Sequence, residues 1–376
     1  APRRRSDYPV NLFRTAGATI MTTNRRVHPD PDFTRLRTAL LGGQPDRVPL
    51  AEITIDEGAK EALLNQPIVD LQSDINFYVQ AGYDFMTLGR RMAGFPPVWP
   101  AARLENYYEV QRFVAHGSME GTLRSRDDFR TYPWMKPGDL DFRIFDRAEK
   151  LLPPKMKVVR YCGPVFQMTW MLMGFENLSY ALADDPGLVT SIMDRIFEVV
   201  LAEVEDGLQR DVVGAVWYGD DIAIKDRLMV PPDFLRKHFF PKLTLLGDKC
   251  RARGVPLIYH TDGDVTEVLP DIIAAGVNAL HPIDPTGMDI YRTKEQVAGK
   301  LAVVGNVDVG LLLTGTPAEV EAETRKQLSR LAPGGGYVLG SSNSIHRAIP
   351  AANYRAMLET VRREGPYPIR ADAGAK

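Results

Sequence analysis

Short apolar segments alternate along the chain with longer segments of helical periodicity. Each apolar run is followed by a polar or glycine-bearing turn, which is typical of the strand and helix units of parallel sheets. The runs that we assign to strands are residues 48–55, 84–89, 158–163, 215–220, 256–260, 279–283, 301–306 and 337–342. Eight such runs predict an α/β fold with a single (β/α)₈ TIM-type barrel.

The segments between the strands predict helices and one insertion. Residues 188–210 keep apolar positions three and four apart, residues 231–254 open on two prolines, and residues 316–336 open on a Thr316–Pro317 cap. Residues 90–157 are too many for a simple loop. We expect them to form an insertion between strands 2 and 3, with a hairpin and short helices that act as a lid. The barrel domain then covers residues 31–370, after a partly disordered N-terminal extension of residues 1–30.

Composition narrows the class of ligand. The 376 residues are 44% hydrophobic and carry a formal net charge of −2, with acidic and basic residues mixed along the chain. This excludes the footprint of a nucleic-acid or anionic-membrane binder, so a small-molecule substrate is expected. The only cysteines, Cys162 and Cys250, are far apart, which argues against a disulfide scaffold and fits a cytoplasmic protein.

Two further absences in the sequence bear on membranes and cofactors. No apolar run is long enough to span a membrane. The glycine-rich segment APGGGYVLG at residues 332–340 precedes a strand instead of opening a helix, and neither a P-loop nor a GxSxG motif occurs. We therefore expect no membrane partner and no nucleotide cofactor.

The carboxyl ends of the predicted strands carry a ring of polar residues. The ring consists of Glu52, Asp56, Asp220, Asp221, His260, Asp262, His281, Asp284, Asn306, Asp308 and Asn343. Active sites of such barrels lie at this end, and desolvated charges require partners, protons or a metal. We expect catalytic roles for Asp220, Asp221, His260 and Asp262. Substrate contacts are expected from Glu52, His281, Asn306 and Asn343, and from Trp170 in the methionine-rich segment FQMTWMLMGF.

The segment YHTDGD at residues 259–264 is the strongest candidate for a metal site. In a strand, His260 and Asp262 project from the same side. They offer nitrogen and oxygen ligands to zinc, with a third ligand from Glu52 or Asn343 and an open position for water or substrate. A structural histidine at a strand end is the alternative interpretation of His260. A zinc ion held without cysteine would be a Lewis acid, not a structural ion.

The GDD sequence at residues 219–221 has three interpretations. Asp220 and Asp221 can bind polar groups of a substrate, hold a cation, or cap the next helix. Capping alone explains one of the two carboxylates but not both.

An ordered set of motifs from about Pro45 onward resembles one known superfamily. The motifs are PDRVPL (45–50), AGYDFM (81–86), GDD (219–221), PPDFLRKHFFPKL (231–243), YHTDGD (259–264), GNVD (305–308), SNSIHRAIPAANYRAM (342–357) and GPYP (365–368). They resemble the uroporphyrinogen decarboxylase superfamily, which includes the decarboxylase of haem biosynthesis and the corrinoid-linked methyltransferases. The resemblance implies a (β/α)₈ barrel, and a homodimer.

The departures from the superfamily patterns favour the methyltransferase branch. The decarboxylase carries arginines after its first strand, where this chain reads AEITIDEGAK (51–60), and Asn343 and Trp170 stand where it has histidine and tyrosine. The thiol-dependent methyltransferases bind zinc through an HxC element and a second cysteine. Here His260 is kept, Asp262 replaces the first thiolate and Asn343 falls at the second.

The resemblance therefore implies an O-demethylase-type methyltransferase. It would move a methyl group from a small methylated substrate, such as a methoxylated aromatic, to the cobalt of a corrinoid protein that docks over the barrel mouth. A metal such as zinc near His260, Asp262 and Glu52 would activate the methylated oxygen. A carboxy-lyase of tetrapyrrole metabolism is the first alternative, and a non-catalytic barrel that binds a tetrapyrrole or a corrinoid partner is the second.

Overall fold

Seven strands form one parallel sheet in the computed structural model, which describes residues 30–89 and 121–369. In chain order the described strands are β1 (Phe85–Gly89), β2 (Lys157–Cys162), β3 (Val213–Gly219), β4 (Ala223–Ile224), β5 (Arg227–Leu228), β6 (Leu257–His260), β7 (Ala279–His281), β8 (Ala302–Val304) and β9 (Tyr337–Val338). The sheet order is β1-β2-β3-β6-β7-β8-β9, and β4 and β5 form a separate antiparallel pair after β3. Seven of the eight predicted strands are thus confirmed, the last three shorter than predicted.

The remaining predicted strand, residues 48–55, lies beside β9 without forming a regular ladder. Leu50 and Ile55 make isolated parallel bridges to Leu339 and Ile345, and Ala51 donates its N–H to the Leu339 carbonyl at 2.9 Å. Pro49 interrupts this segment, because proline has no N–H to donate to a ladder. The segment takes the eighth position around a TIM-type barrel, so the predicted fold class is confirmed.

Helices follow the strands around the barrel. The described α-helices are Phe33–Leu40, Glu57–Leu64, Leu71–Ala81, Arg126–Thr131, Arg143–Leu151, Phe166–Met173, Phe175–Asp184, Pro186–Gly207, Pro232–Phe234, Phe240–Ala252, Leu269–Ala274, Ile290–Gln296, Val309–Thr314, Pro317–Leu331 and Ala351–Glu364. Short 3-10 turns cover Pro137–Asp139 and Thr266–Val268. No described helix is both long enough and apolar enough to cross a membrane.

Two of the predicted helices show how local chemistry sets their form. Pro317–Leu331 begins with a capping box in which Thr316 and Glu319 bond each other's backbone N–H, as its sequence indicates. The predicted helix at residues 231–254 is instead interrupted by a π-helical turn at Leu235–Phe239. Pro241, two residues after this turn ends, lacks the N–H that a continuous α-helix would require, which accounts for the interruption.

The predicted insertion is described in part. Residues 121–156 contain the helices Arg126–Thr131 and Arg143–Leu151, and Leu123 donates its N–H to the Leu172 carbonyl at 2.9 Å. This bond attaches the segment to the end of helix Phe166–Met173. Residues 90–120 of the expected insertion at 90–157, and residues 1–29 of the expected N-terminal extension at 1–30, lie outside the described residues. A lid function stays a prediction.

Candidate functional site

Three neighbouring strands end in one row at the carboxyl mouth of the barrel. The parallel register pairs Gly219 of β3 with His260 of β6, and His260 with His281 of β7. Gly219 adds no side chain to this row, and a Cβ there would clash with the Tyr161 hydroxyl at 2.5 Å. The register therefore brings both histidines to the place where the chain leaves β3 as Asp220 and Asp221.

Asp221, His260 and Asp262 form a compact polar cluster. The Nε2 atom of His260 lies 3.7 Å from Asp221 Oδ1 and 3.9 Å from Asp262 Oδ1. One ligand atom from each of the three residues falls within 4.8 Å of the others. In residues 30–89 and 121–369, this is the group of histidine, cysteine and carboxylate side chains that could hold a metal ion.

A second histidine fixes the orientation of His260. The Nδ1 atoms of His260 and His281 are 2.7 Å apart, so one of them donates a proton to the other. His260 Nε2 is too far from both carboxylates for a hydrogen bond, and an N–H there would lack an acceptor. The Nε2 atom of His281 is likewise buried without a partner, so the hydrogen bond fixes the two rings relative to each other, with the Nε2 atom of His260 facing the two carboxylates.

Burial keeps both imidazoles neutral. Burial lowers the pKa of His260, although the charges of Asp221 and Asp284 raise it. Burial also lowers the pKa of His281 well below its ordinary value, and the neighbouring His260 lowers it further. The ring of His281 also packs edge-on against Trp217, with centroids 4.9 Å apart. A neutral imidazole is the form that binds a metal ion.

The carboxylate of Asp262 accepts a hydrogen bond from Asn343 and lies near two other carboxylates. Asn343 donates its Nδ2 to Asp262 Oδ2 at 3.0 Å, and the Asp262 N–H donates to Asp221 Oδ1 at 3.0 Å. Burial, followed by the charges of Asp221 and Asp284, raises the pKa of Asp262 well above its usual range. Two carboxylates this close require a shared proton or a cation between them.

Gln167 orients Asp221 and was missed in the sequence. It lies in the first turn of helix Phe166–Met173 and donates its Nε2 to Asp221 Oδ2 at 2.9 Å. The methionine-rich segment around Gln167 has the pattern of a buried core. The available sequence signal was the polar side chain of Gln167 itself at the start of this apolar helix. Trp170 lies one turn further along the same helix, is buried, and has no described acceptor for its indole N–H.

Asp220, which was predicted to be catalytic, accepts hydrogen bonds from the start of a helix. It is fully buried, and it accepts the N–H groups of Val165 and Phe166 at 2.8 Å and that of Gln167 at 2.7 Å. The hydroxyl of Tyr218 donates to it as well. Asp220 thus caps helix Phe166–Met173, which follows β2, and not the next helix in the chain. Helix capping thus accounts for the carboxylate of Asp220, whereas the carboxylate of Asp221 belongs to the cluster with His260 and Asp262.

Glu52 also departs from its expected place. Its carboxyl group accepts the Ser341 N–H at 3.0 Å and the Ser341 hydroxyl, and it does not belong to the group around His260. Asp221 takes the position that the sequence pattern gave to Glu52. Burial raises the pKa of Glu52 to about 8, against the hydrogen bonds from Ser341 that lower it.

Replacing Glu52 with glutamine should remove a pH-dependent loss of stability. The raised pKa keeps the carboxyl group protonated at pH 7 in the folded protein, whereas in the unfolded chain its pKa returns to the ordinary glutamate value of 4.5. Its contribution to stability is therefore complete below pH 4.5 and lost as the pH rises toward 8. Urea unfolding at several pH values should show the wild type losing roughly 4–5 kcal/mol more than the variant across this window. Parallel pH profiles would contradict the assignment.

The other residues of the predicted ring serve the loops around the cluster. Asn306 donates its side-chain amide to the Ile283 carbonyl at 2.5 Å, and Asp284 accepts the Gly263 N–H at 2.9 Å. Asp56 and Asp308 cap the helices that follow them. The structure therefore brings His260, Asp262, Asp221, His281 and Asn343 together. It places Asn306 against the neighbouring loop.

The cluster fits a divalent metal ion. A tetrahedral zinc site with bonds of about 2.0–2.1 Å places its ligand atoms roughly 3.4 Å apart, slightly less than the separations around His260 Nε2. The donor set is one imidazole lone pair and two carboxylates, whose charges a divalent ion would neutralise. Asn343 is bonded through its Oδ1 to the Ser344 N–H at 2.7 Å, so it orients Asp262 and is not free as a third ligand.

Comparisons with known proteins agree with this architecture. The family model described as uroporphyrinogen decarboxylase (URO-D) matches residues 127–364. The curated uroporphyrinogen decarboxylase of Pseudoalteromonas atlantica is 24% identical over 222 residues, which cover 56% of this chain and 60% of the relative. That of Sodalis glossinidius is 26% identical over 208 residues, covering 52% of this chain and 55% of the relative. The chain thus spans little more than half the length of these two relatives.

A solved structure shares the fold over nearly its whole length. The structure of a methyltransferase from Methanosarcina mazei matches with a TM-score of 0.60 and 18% identity, covering 88% of this chain and 98% of that chain. At this identity the match shows the fold alone. The family match, in contrast, covers well over half of the chain, and the protein therefore belongs to the uroporphyrinogen decarboxylase (URO-D) family.

Proposed function

We propose that this protein is a methyltransferase that moves a methyl group from the oxygen of a small methylated substrate to the cobalt of a corrinoid protein. A methoxylated aromatic is the substrate class that we favour. The observation that carries the proposal is the cluster of Asp221, His260 and Asp262, in which one imidazole nitrogen faces two carboxylates without any thiolate. The methyltransferase named among the structural matches supports it as a relative of the same fold.

The reaction defines what the site must supply. Cobalt(I) attacks the methyl carbon, a carbon–cobalt bond forms, the carbon–oxygen bond breaks, and its electron pair stays on the leaving oxygen. That oxygen needs a proton or a positive charge, whereas the corrinoid supplies the nucleophile. A divalent ion such as zinc, held by Asp221, His260 and Asp262, would supply Lewis acidity at this oxygen when bound.

Residues around the cluster hold its donors in place. His281 keeps the Nε2 atom of His260 directed at the carboxylates, Asn343 donates a hydrogen bond to Asp262, and Gln167 donates one to Asp221. Such outer contacts orient ligands and exclude alternative rotamers. The buried indole N–H of Trp170, on the helix that carries Gln167, offers a donor and an aromatic wall to a flat substrate.

The names of the curated relatives favour a carboxy-lyase as second candidate. Even with a divalent ion bound, the three carboxylates of Asp221, Asp262 and Asp284 leave no net positive charge at the site to attract a carboxylated substrate. In the described part of the chain, Arg347 near the mouth is already paired with Asp56 at 3.1 Å. These charges support methyl transfer from a neutral ether over decarboxylation of a polyanion.

The proposal is tested by a methyl-transfer assay with free cobalamin. The purified protein is incubated with zinc, chemically reduced cob(I)alamin and 2-methoxyphenol or a panel of related methyl ethers. We expect methylcobalamin and the demethylated phenol in equal amounts, loss of both after chelator treatment, and recovery after zinc is restored. Uroporphyrinogen is offered in parallel, with porphyrin products and carbon dioxide measured. Carbon dioxide release without methylcobalamin would replace the methyltransferase by the carboxy-lyase.

A further inference from the structure

A second cavity lies at the opposite end of the barrel from the cluster. Its volume is about 360 Å³, and it is formed where the chain enters β7, β8 and β9. The lining residues that matter here are Gly42, Asn278, Lys294, Lys300, Gly335 and Gly336. None of the residues lining this cavity is an aspartate or a glutamate.

The glycine-rich segment at residues 332–340 builds one wall of this cavity. Gly334, Gly335 and Gly336 have φ angles of +86°, +79° and +60°, a region that other residues rarely adopt. A Cβ at Gly335 would lie 2.4 Å from the Gly43 carbonyl oxygen. The three glycines thus allow the loop to turn its carbonyl groups toward the neighbouring helix. This explains a motif that fits no nucleotide site.

Lys294 reaches into this loop from helix Ile290–Gln296. Its ammonium group donates to the Gly335 carbonyl at 2.6 Å and to the Gly336 carbonyl at 2.5 Å. An ammonium group has three N–H donors, so one is left for a further acceptor. No ion pair of Lys294 occurs among the described residues, and burial lowers its pKa to about 8. A partly buried cation therefore stands at the cavity without a counter-charge.

Two other donors line the same cavity. Lys300 is exposed at the cavity and adds a second positive charge. Asn278 accepts the Leu257 N–H through its Oδ1 at 2.9 Å, so its NH₂ group is available as a donor to a ligand. Two ammonium groups and an amide, with no acid nearby, are complementary to a small anion with several oxygen acceptors.

We propose that this cavity binds a small oxyanion, a carboxylate or a phosphate group, between Lys294, Lys300 and Asn278. The site is separate from the proposed methyl transfer and does not depend on it. The bound oxyanion accepts the third N–H of Lys294 and supplies the missing counter-charge. The carbonyl groups of Gly335 and Gly336 hold the ammonium in position, so the site is formed before the ligand arrives.

Calorimetric titration of the full chain with inorganic phosphate and with acetate tests this site. Titrations use chloride to keep ionic strength constant, and we expect saturable binding at millimolar concentrations. Lys294→Met should weaken it at least tenfold, because methionine keeps the apolar stem but not the charge, and Lys300→Met should weaken it several-fold. Lys150→Met is the matched control, since Lys150 is exposed on a distant helix. Binding of acetate alone identifies a carboxylate site, and binding of phosphate alone a phosphate site.

Proton uptake gives a second readout on the wild-type protein. An anion beside Lys294 raises its pKa from about 8, so binding of either anion at pH 8 should take up protons, and binding of acetate, which does not titrate in this range, should not do so at pH 6. Titration in buffers of different ionisation enthalpy measures this uptake and remains informative if Lys294→Met fails to fold. Absence of saturable binding, binding that Lys294→Met and Lys300→Met leave unchanged, or binding at pH 8 without proton uptake would overturn the proposal.

Discussion

Replacing Asp262 with asparagine should nearly abolish methyl transfer while leaving the fold as stable as before. The change removes one of two negative charges that face His260 Nε2 and leaves a side chain of the same shape. We expect the rate of methylcobalamin formation to fall by about 10²- to 10⁴-fold, the range for groups that act directly on a transition state. Zinc bound per chain, measured by elemental analysis after gel filtration, should fall with it.

The stability of the same variant should not fall with its activity. Burial and the neighbouring charges of Asp221 and Asp284 raise the pKa of Asp262, so its ionised form destabilises the metal-free fold. Asparagine removes this cost, and the melting temperature of the metal-free protein should stay equal or rise. A fall in activity that accompanies a fall in melting temperature would show that Asp262 serves the fold and not the reaction.

Asp264 provides a matched control within the same segment. It lies two residues further along the chain and is half-buried, and its Oδ1 accepts the Thr266 N–H at 2.8 Å. It does not belong to the group around His260. Asp264→Asn should therefore keep its zinc and most of its activity. Equal losses in the two variants would assign the effect to the loop and contradict a metal site at Asp262.

The sequence analysis paired His260 with Asp262 through the period of two along a strand, and the two side chains do lie together, although β6 ends at His260 and Asp262 follows it in a loop. The sequence pattern also placed His281 and Asn343 at the same end of the barrel, and both now contact members of that pair. Periodicity tells which face of a strand a side chain occupies. It does not tell how far each strand rises relative to its neighbours, which the register of β3, β6 and β7 decides.

The sequence analysis named Glu52 as a member of the cluster, whereas the structure has Asp221 there, because periodicity does not give the register between strands. Glu52 belongs to the irregular eighth segment, and Ser341 engages its carboxyl group. Asp220 and Asp221 are adjacent residues beyond the end of β3, where alternation no longer applies. Their roles are separated by contacts with residues more than fifty positions earlier in the chain, at Val165 and Gln167. Such contacts are set by the packing of the helix after β2, which local sequence does not encode.

Replacing Asp220 with alanine should cause a large loss of stability. The variant leaves three backbone N–H groups of the first helical turn and the Tyr218 hydroxyl without their acceptor, all at a buried position. Each unsatisfied buried donor costs about 1–3 kcal/mol, partly relieved by water, so we expect the free energy of unfolding to fall by about 3 kcal/mol or more.

Urea unfolding measures this free energy, and Asp221→Ala serves as the control on the adjacent residue. Asp221 is half-buried and accepts from Gln167 and Asp262, so its loss should lower zinc binding and methyl transfer with a smaller change in stability. The two adjacent carboxylates would then separate cleanly, one supporting the helix that carries Gln167 and Trp170, and the other completing the metal site. Equal stability losses in the two variants would contradict this division.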